Sequence, residues 1–272
     1  MDLIIIFLMI LIILLILFFL FIYTAQKDIN IRKSLKEYKA KTYNAKGEFS
    51  YDSLPLLSKT NLNDIFLSLV FPAYNEEKRL PPALEKTVNY FSSLDFKYEI
   101  IIVNDGSKDR TFELIKNEIK KYSNLENLKN RPEIIGVTYE RNGGKGFAVK
   151  TGMHYVRGKY VLMLDSDGAT DIRDFQTLFE KVKNEEYCLA IGSRKIIAEK
   201  AERVWYRNIM GIINNFIIRG CIGIKIIEVP VNWKEIPGSK LVLLPATISF
   251  FRDYFAMIVF YNIGYWKIKK DE

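Results

Sequence analysis

The stretch Tyr160–Asp171, "YVLMLDSDGATD", joins an apolar run to three closely spaced aspartates. The run "YVLML" predicts a strand buried inside a parallel sheet. Asp165, Asp167 and Asp171 follow it, and they require solvent, a metal ion or a cationic ligand, because carboxylates repel one another and resist burial. A polar loop that caps a helix would explain the same residues, so the surrounding chain has to decide between the two interpretations.

The chain around this stretch alternates strand and helix patterns. Apolar runs predict strands at 66–71, 98–104, 134–139, 159–164 and 187–192. Helical patterns lie between them at 78–93, 109–122, 146–157 and 173–184. This alternation predicts an α/β fold with right-handed crossovers and a mostly parallel sheet. Ligands of such sheets bind outside the carboxyl ends of the strands, so we expect a site there.

Polar segments follow four of the predicted strands. They are "PAYNEE" (72–77), "NDGSKDRT" (104–111), "ERNGGKG" (140–146) and "DSDGATD" (165–171). Each segment alone is compatible with a turn or the start of a helix. Because all four are expected at one edge of the sheet, together they predict a ligand-binding site.

Composition narrows the class of partner. The 272-residue chain has a formal net charge of +8 and a pI near 9.2, which favours anionic partners. The basic residues are spread along the chain and form no block typical of a nucleic-acid tail, so we expect no nucleic-acid partner. Cys188 and Cys221 are isolated and lack metal-ligand spacing, which suits a domain exposed to the cytosol.

The amino terminus predicts a membrane anchor. Residues Leu3–Tyr23 form a run of 21 residues without charge, Gly or Pro, long enough to cross the hydrocarbon core as a helix. Lysines and arginines follow it, so the positive-inside rule places the rest of the chain in the cytosol. The last residues are apolar but broken by Pro and charges, and either interfacial helices or a buried core helix would fit them. We expect four parts: a signal-anchor transmembrane helix at 1–24, a basic juxtamembrane stalk at 25–63, an α/β domain at 64–241 and apolar, interfacial helices at 242–272.

Two phosphate-binding motifs are similar to the third polar segment. A P-loop is excluded because Gly146, not Ser or Thr, follows Lys145. A dinucleotide-binding fingerprint matches better, since Gly144 and Gly146 open a helix and Asp165 lies 21 positions after Gly144. Val149 replaces its third glycine and the motif follows the third strand, not the first, so this interpretation is kept as a weak alternative.

Six segments share their order and spacing with a known family: "FPAYNEEKRL", "VNDGSKDRT", "RNGGKGFAVKTGM", "MLDSDGATD", "GSR" and "VNWKEIPGSKL". They resemble the family-two glycosyltransferases, and the nearest branch looks like the dolichyl-phosphate β-glucosyltransferases of the endoplasmic reticulum. The resemblance covers roughly residues 1–220 and 226–241. It implies a GT-A fold with a Rossmann-like, mostly parallel sheet, a UDP-sugar donor and a divalent cation, Mg²⁺ or Mn²⁺.

The resemblance implies a catalytic set of three residues. Asp167 would contact the metal directly, and Asp165 would contact the ribose or the metal. Hard cations bind carboxylate and phosphate oxygens well, and a departing nucleotide diphosphate needs its charge neutralised. Arg194, in "GSR", would hold the acceptor's phosphate, for which a planar guanidinium is well suited.

The resemblance also implies a nucleotide-sugar site built from the first three polar segments, together with Asp165. Pro72, Tyr74 and Glu76 would line the uridine and the ribose, and Asp105 would recognise the base. Lys145 follows glycines that let the backbone approach a ligand, and it would contact the diphosphate.

The implied reaction is the transfer of glucose from UDP-glucose to dolichyl phosphate with inversion, giving dolichyl β-D-glucosyl phosphate for protein N-glycosylation. The acceptor phosphate is already anionic near neutral pH, so a strong general base is unnecessary. We expect a single-pass protein of the endoplasmic reticulum membrane, with membrane lipids as partners and the catalytic domain facing the cytosol. Two alternatives stay open: a sibling polyprenyl-phosphate transferase for another sugar, and a membrane-tethered nucleotide-sugar binder with impaired turnover.

The chain departs from the family after Gly220. The family continues there with a segment like "DTQCGFKLF" and a helix like "W-x-FDVELL", whereas residues 221–225 of this chain lead almost directly into "IIEVPVNW". A few dozen residues that close the acceptor side are therefore absent. We expect this absence to affect catalysis more than donor binding.

Overall fold

The structure is a computed structural model that describes residues 3–26, 38–49, 65–125, 128–185, 188–193 and 225–234. The chain divides into two compact units. The larger unit contains residues 31–176 and 231–237, and the smaller contains residues 1–30, 177–230 and 238–272. All four polar segments at the predicted strand ends belong to the larger unit.

A six-stranded sheet forms the centre of the larger unit. Its strands are β1 Lys41–Asn44, β2 Gly47–Phe49, β3 Leu67–Ala73, β4 Tyr98–Asp105, β5 Glu133–Tyr139 and β6 Tyr160–Met163. They lie in the order β2-β1-β5-β4-β3-β6. The four strands β3 to β6 run parallel to one another, while β1 pairs antiparallel with both β2 and β5. The predicted α/β fold with a mostly parallel sheet is confirmed.

Helices alternate with the strands, as the sequence predicts. They are α1 Leu3–Gln26, α2 Leu80–Ser92, α3 Thr111–Ser123, α4 Lys145–Tyr155 and α5 Phe175–Val182, with a short 3-10 turn at Ile172–Asp174. Proline stands in the first turn of α2, where its missing N–H has no intrahelical partner to lose. In α3, Glu113 lies in the first turn and Lys120 and Lys121 in the last, which matches the helix dipole.

The core lies against the central strands. Every residue of β4 is buried, as expected of a parallel strand that is covered on both faces. Helix α4 packs closely on the sheet at Gly152, where an added Cβ would lie 2.3 Å from Cγ1 of Val70. Only glycine permits this approach, which fixes the helix, and with it Lys145 at its first turn, relative to the sheet.

Part of the segment predicted to be a juxtamembrane stalk belongs to the sheet. β1 and β2 form a hairpin over residues 41–49, and Tyr43 of β1 is paired with Gly136 of β5. The hydroxyl of Tyr43 also donates to Glu48 Oε2 at 3.0 Å. The structure therefore differs from the predicted stalk here, because two strands of three and four residues gain stability from pairing that no sequence pattern displays.

An ion-pair network closes the edge of the sheet where the strands begin. Glu99 of β4 is fully buried, and its carboxylate accepts hydrogen bonds from Ser68 Oγ and from the backbone N–H and guanidinium of Arg157. Arg157 also pairs with Glu133 at 2.7 Å. Every oxygen of Glu99 has a partner, so this buried charge is a structural one.

The smaller unit contains a two-stranded parallel sheet of β7 Cys188–Ser193 and β8 Lys225–Pro230. It also contains α1, whose side chains are described at Ile5 and from Phe7 to Leu20 and are mostly exposed. In the described part of the chain, no helix is long and apolar enough to cross a bilayer. The anchor at 1–24 therefore stays a prediction, and the segment at 242–272 lies outside the described residues.

Candidate active site

The carboxyl ends of the four parallel strands lie side by side. Ala73 at the end of β3 is opposite Asn104 of β4, and Asp105 of β4 is opposite Tyr139 of β5. β6 pairs with β3 on its other side. All four polar segments therefore leave the sheet at the same edge, as predicted, and this edge is where an open α/β sheet binds its ligand.

The first polar segment, 72–77, is held in place by hydrogen bonds to the second polar segment, 104–111. Asn75 adopts the left-handed region at φ 56°, which residues other than glycine rarely occupy. Its backbone N–H donates to Ser107 Oγ at 2.9 Å, and its side-chain oxygen accepts from the backbone N–H of Lys108 at 2.8 Å. Tyr74, just before this turn, is 43% exposed.

Glu76 combines burial with incomplete neutralisation. Its Oε1 accepts a hydrogen bond from Arg79 at 2.6 Å, but its Oε2 is buried and has no hydrogen-bond partner in the described part of the chain. Burial raises the pKa of Glu76 and the charge of Asp167 raises it further, although Arg79 opposes both effects. The two carboxylates are thus close enough to repel each other, which a cation between them would relieve.

Asp105, the last residue of β4, connects the second polar segment to the third. It is 3% exposed, and its Oδ1 accepts a hydrogen bond from the backbone N–H of Gly143 at 2.7 Å. Burial raises the pKa of Asp105 above its ordinary value, and the hydrogen bond from the backbone N–H of Gly143 opposes that shift. Its predicted contact with a base is untested, but the structure gives it a second task as the anchor of the third segment.

The absence of a side chain at Gly106 allows close contact between the second polar segment, 104–111, and the third, 140–146. This glycine has φ 64°, and an added Cβ would lie 2.6 Å from the backbone N of Asn142. A side chain at this position would therefore push the third segment away from the sheet. The side-chain oxygen of Asn142 accepts from the N–H of Gly144, and α4 then begins at Lys145.

An ion pair joins the third segment to the fourth. Nζ of Lys145 lies 2.5 Å from Oδ1 of Asp165. Both side chains remain well exposed, at 60% and 46% respectively. The pair is therefore accessible to a ligand that competes for either charge.

The fourth segment is attached to the first by the residue between its two aspartates. Ser166 is buried, and its Oγ donates to the backbone oxygen of Pro72 at 2.7 Å. Asp165 is left exposed and Asp167 half-buried. Oδ1 of Asp167 accepts from the backbone N–H of Ala169 at 2.9 Å, which fixes the orientation of its carboxylate.

The third aspartate of the opening stretch has a different task. Asp171 caps the 3-10 turn and accepts hydrogen bonds from the backbone and guanidinium of Arg173. These hydrogen bonds lower the pKa of Asp171 below its usual range. Its neighbour Asp174 accepts two further hydrogen bonds from Asn232, so the "VNW" segment lies against this turn. The capping interpretation is thus correct for Asp171.

The structure brings most of the predicted site residues to one edge. It places there Asp167, which is predicted to contact the metal, and the residues predicted to bind the nucleotide sugar: Pro72, Tyr74, Glu76, Asp105, Lys145 and Asp165. Arg194 lies outside the described residues, so its predicted role is untested. Among the described residues, no group of three or more His, Cys, Asp and Glu side chains is placed to hold a metal ion.

Sequence reasoning missed two residues behind this edge, Asp109 and Thr111. Thr111 Oγ1 accepts from the backbone N–H of Glu76 at 2.8 Å, and Asp109 Oδ2 accepts from that of Glu77 at 3.2 Å. In the sequence, "DGSKDRT" is typical of a turn before a helix. Contacts over more than 30 residues follow only from the adjacency of β3 and β4.

The pattern of the family described as "Glycosyl transferase family 2" matches residues 68–255, which include all four polar segments at the strand ends. The chain belongs to glycosyl transferase family 2. It is therefore a glycosyltransferase, and its mostly parallel α/β sheet is of the GT-A-like kind that the resemblance implies.

Relatives within this family share most of their length with the chain. A dolichyl-phosphate beta-glucosyltransferase of Trichomonas vaginalis is 36% identical, with 75% of this chain and 76% of that protein covered. The protein of the same name from Dictyostelium discoideum is 32% identical over 78% of this chain and 80% of that protein. The mouse protein is 30% identical over 84% of each.

The alignments also bear on the absent segment. The alignment with the Trichomonas relative runs over 258 positions but covers only 75% of the 272 residues of this chain. Several dozen aligned positions of that family member thus have no counterpart here. The absence after Gly220 stays a prediction.

Proposed function

We propose that the chain transfers glucose from UDP-glucose to dolichyl phosphate and forms dolichyl β-D-glucosyl phosphate for protein N-glycosylation. The observation that carries this proposal is the similarity to dolichyl-phosphate beta-glucosyltransferases over most of both chains. The strand-end edge supports it, because its carboxylates and Lys145 suit a nucleotide diphosphate with its cation.

We assign the donor to the edge formed by β3, β4 and α4. Pro72, Tyr74 and Glu76 would line the uridine and ribose, and Asp105 would recognise the base. Lys145 would turn from Asp165 to the diphosphate, a movement that its exposure permits. Its compact ammonium would then neutralise part of the charge of the departing UDP.

A divalent cation, Mg²⁺ or Mn²⁺, fits the residues at this edge. Asp167 and Asp165 would hold it, and two observations support a cation here: Oε2 of Glu76 has no partner in the described part of the chain, and the charge of Asp167 raises the pKa of Glu76. Two carboxylates suffice because Mg²⁺ in nucleotide sites is bound by one or two carboxylates and the substrate's phosphates. When bound, the cation would stabilise the charge that develops on the diphosphate.

The residues act by alignment and charge stabilisation, without a general base. A dolichyl phosphate oxygen is already anionic, so it attacks the anomeric carbon of UDP-α-glucose as it stands. A single in-line displacement inverts that carbon and gives the β-linked product, with UDP as the leaving group. Arg194 would orient the acceptor phosphate, while Lys145 stabilises the departing diphosphate.

We also propose that the chain acts at the cytosolic face of the endoplasmic reticulum membrane. The supporting observations are the uncharged run Leu3–Tyr23, which includes most of α1, and the basic residues that follow it. An anchored domain meets the head group of a lipid acceptor without diffusing from solution. Deletion of residues 1–24 should therefore lower the rate with lipid acceptor and leave UDP-glucose binding unchanged.

The test uses the full chain in vesicles that contain dolichyl phosphate, with radiolabelled UDP-glucose and Mn²⁺. Transfer of label to lipid, as a β-anomer, is the expected result. GDP-mannose and UDP-N-acetylglucosamine serve as competing donors, and preferential transfer from either would overturn the choice of sugar. Arg194→Ala should raise the KM for dolichyl phosphate and leave UDP-glucose affinity near that of the unmutated chain.

The short connection from Gly220 to "IIEVPVNW" motivates a second candidate, a family member that binds UDP-glucose but turns it over poorly. Thermal stabilisation by UDP-glucose and Mn²⁺ without any lipid product would support this candidate. Restoring a segment of the Trichomonas relative after Gly220 should then restore transfer. Failure of that restored chain to transfer glucose would argue against the missing segment as the cause.

A further inference from the structure

The turn after β3 is held mainly by the segment after β4. Besides the two hydrogen bonds of Asn75, the backbone N–H groups of Glu76 and Glu77 donate to Thr111 Oγ1 and Asp109 Oδ2. In return, the backbone N–H of Arg110 donates to Glu77 Oε2 at 3.2 Å. The left-handed conformation of Asn75 makes such outside support necessary, because the turn is unfavourable by itself.

Thr111 occupies the centre of these contacts. Its side chain is fully buried, and its Oγ1 donates to Asp109 Oδ1 at 2.5 Å while it accepts the N–H of Glu76 at 2.8 Å. A hydroxyl has one proton to donate. Since the hydroxyl donates its hydrogen bond to Asp109, one of its lone pairs is free to accept the hydrogen bond from the backbone N–H of Glu76.

Asp109 is suited to hold the hydroxyl in this orientation. Burial tends to raise its pKa, but hydrogen bonds from Thr111 and from the N–H of Glu77 outweigh burial and hold the pKa of Asp109 below its usual range. An ionised carboxylate can only accept hydrogen bonds. The order Asp109, Thr111, Glu76 is therefore a chain of hydrogen bonds with one polarity.

We propose that Thr111, oriented by Asp109, is a positioning residue that holds Glu76 and its turn in the geometry that binds the donor. The proposal rests on the proposed function in that Glu76 is assigned to the donor and cation edge. Thr111 touches neither substrate nor cation; it acts through the backbone of Glu76. Loss of its hydroxyl should weaken nucleotide binding, because the turn then has to be ordered at the moment of binding.

Three variants separate this role from a general loss of stability. Thr111→Val removes the hydroxyl at nearly constant volume, and Thr111→Ser keeps it. Thr87→Val is the matched control: Thr87 is also buried, but its hydroxyl donates to Ala83 O inside α2 and not to the turn. If Thr111→Val does not fold, Asp109→Asn takes its place. This substitution puts a neutral amide where a carboxylate accepted the hydrogen bond from Thr111.

Two measurements are made on the full chain: amide hydrogen exchange of peptides that cover residues 74–79, and titration with UDP in the presence of Mn²⁺. We expect Thr111→Val to speed exchange in these peptides and to raise the Kd for UDP about three- to tenfold, as expected for one lost hydrogen bond. Thr111→Ser should stay within about twofold of the unmutated chain in both measurements, as should Thr87→Val.

The two measurements also separate this proposal from the proposed function. Unchanged exchange in Thr111→Val overturns the positioning role whatever the chain binds. Faster exchange with an unchanged Kd for UDP overturns it as well, because the turn would then be irrelevant to the donor. If the unmutated chain fails to bind UDP at all, the assigned donor is wrong, and the exchange measurement alone decides whether Thr111 holds the turn.

Discussion

Replacement of Lys145 by methionine tests whether the strand-end edge binds a diphosphate. Lys145→Met keeps the length of the side chain at the start of α4 and removes its charge. In the free protein that charge is paired with Asp165 at 2.5 Å, and both side chains are about half exposed. The substitution therefore removes one interaction from the free state and another from the bound state.

The two contributions differ in size. A hydrogen bond to a charged group contributes about 1.5–3 kcal/mol in the complex. An exposed ion pair such as Lys145–Asp165 contributes about 0.2–1 kcal/mol, and this is given up when Lys145 moves to the ligand. The difference, about 0.5–2.8 kcal/mol, predicts a Kd for UDP that is roughly two- to hundredfold higher in the variant.

Calorimetric titration with UDP and with uridine distinguishes the diphosphate from the base. The affinity for UDP should fall by the predicted factor, while the affinity for uridine, which has no phosphate, should not change. Lys46→Met, in the turn of the β1–β2 hairpin, is the control for net charge. An unchanged Kd for UDP, or an equal loss with uridine or in the control, would refute the assignment of Lys145.

Four other substitutions follow from the same structure. Asp167→Asn should abolish metal-dependent UDP-glucose binding in a folded protein, as measured by titration with and without Mn²⁺. Glu99→Gln should lower the free energy of unfolding by about 3 kcal/mol, because it breaks a buried ion pair, while UDP affinity stays the same. Gly106→Ala should weaken UDP binding and lower the melting temperature, since its Cβ would meet the backbone of Asn142 at positive φ. Glu76 has a raised pKa in the fold, so its contribution to stability is present below the ordinary glutamate pKa and is lost as pH rises through the raised one. Thermal unfolding of Glu76→Gln over that range should show a smaller decline with rising pH than the unmutated chain.

The sequence predicts β3, β4 and β5 well because these strands are almost entirely buried. The prediction that "YVLML" is buried is wrong, since β6 is an edge strand of the six-stranded sheet and exposes Val161 and Met163. Apolar runs such as 98–104 stand out from any surrounding pattern, and the observed β4 exceeds that range by one residue. The hairpin at 41–49 has no such signal, since its strands "KTYN" and "GEF" are short, polar and at the edge. Edge strands are specified by their partner more than by their own composition.

The candidate site was predictable as a place but not as a set of contacts. The spacing of Asp165, Asp167 and Asp171 gives no reason to separate them, yet the structure uses Asp171 as a cap and leaves the other two near the ligand edge. The contact of Thr111 with Glu76 spans 35 residues and depends on which strands are neighbours. Such information is absent from local patterns, which report only the next few residues of chain.

Buried carboxylates at the two edges of the sheet differ in how fully they are hydrogen-bonded and paired. This difference distinguishes a carboxylate that stabilises the fold from those suited to bind a ligand. Glu99, where the strands begin, accepts hydrogen bonds from Ser68 and from the backbone and guanidinium of Arg157. Both oxygens of its carboxylate therefore have partners without any ligand. Glu76 and Asp105, where the strands end, have raised pKa values, and one oxygen of Glu76 has no partner in the described part of the chain. A fold that needed these groups only for stability would gain by neutralising them, as it does Glu99. A ligand with its cation would complete the neutralisation of Glu76, which supports the proposal that this glycosyltransferase binds its donor at the carboxyl edge.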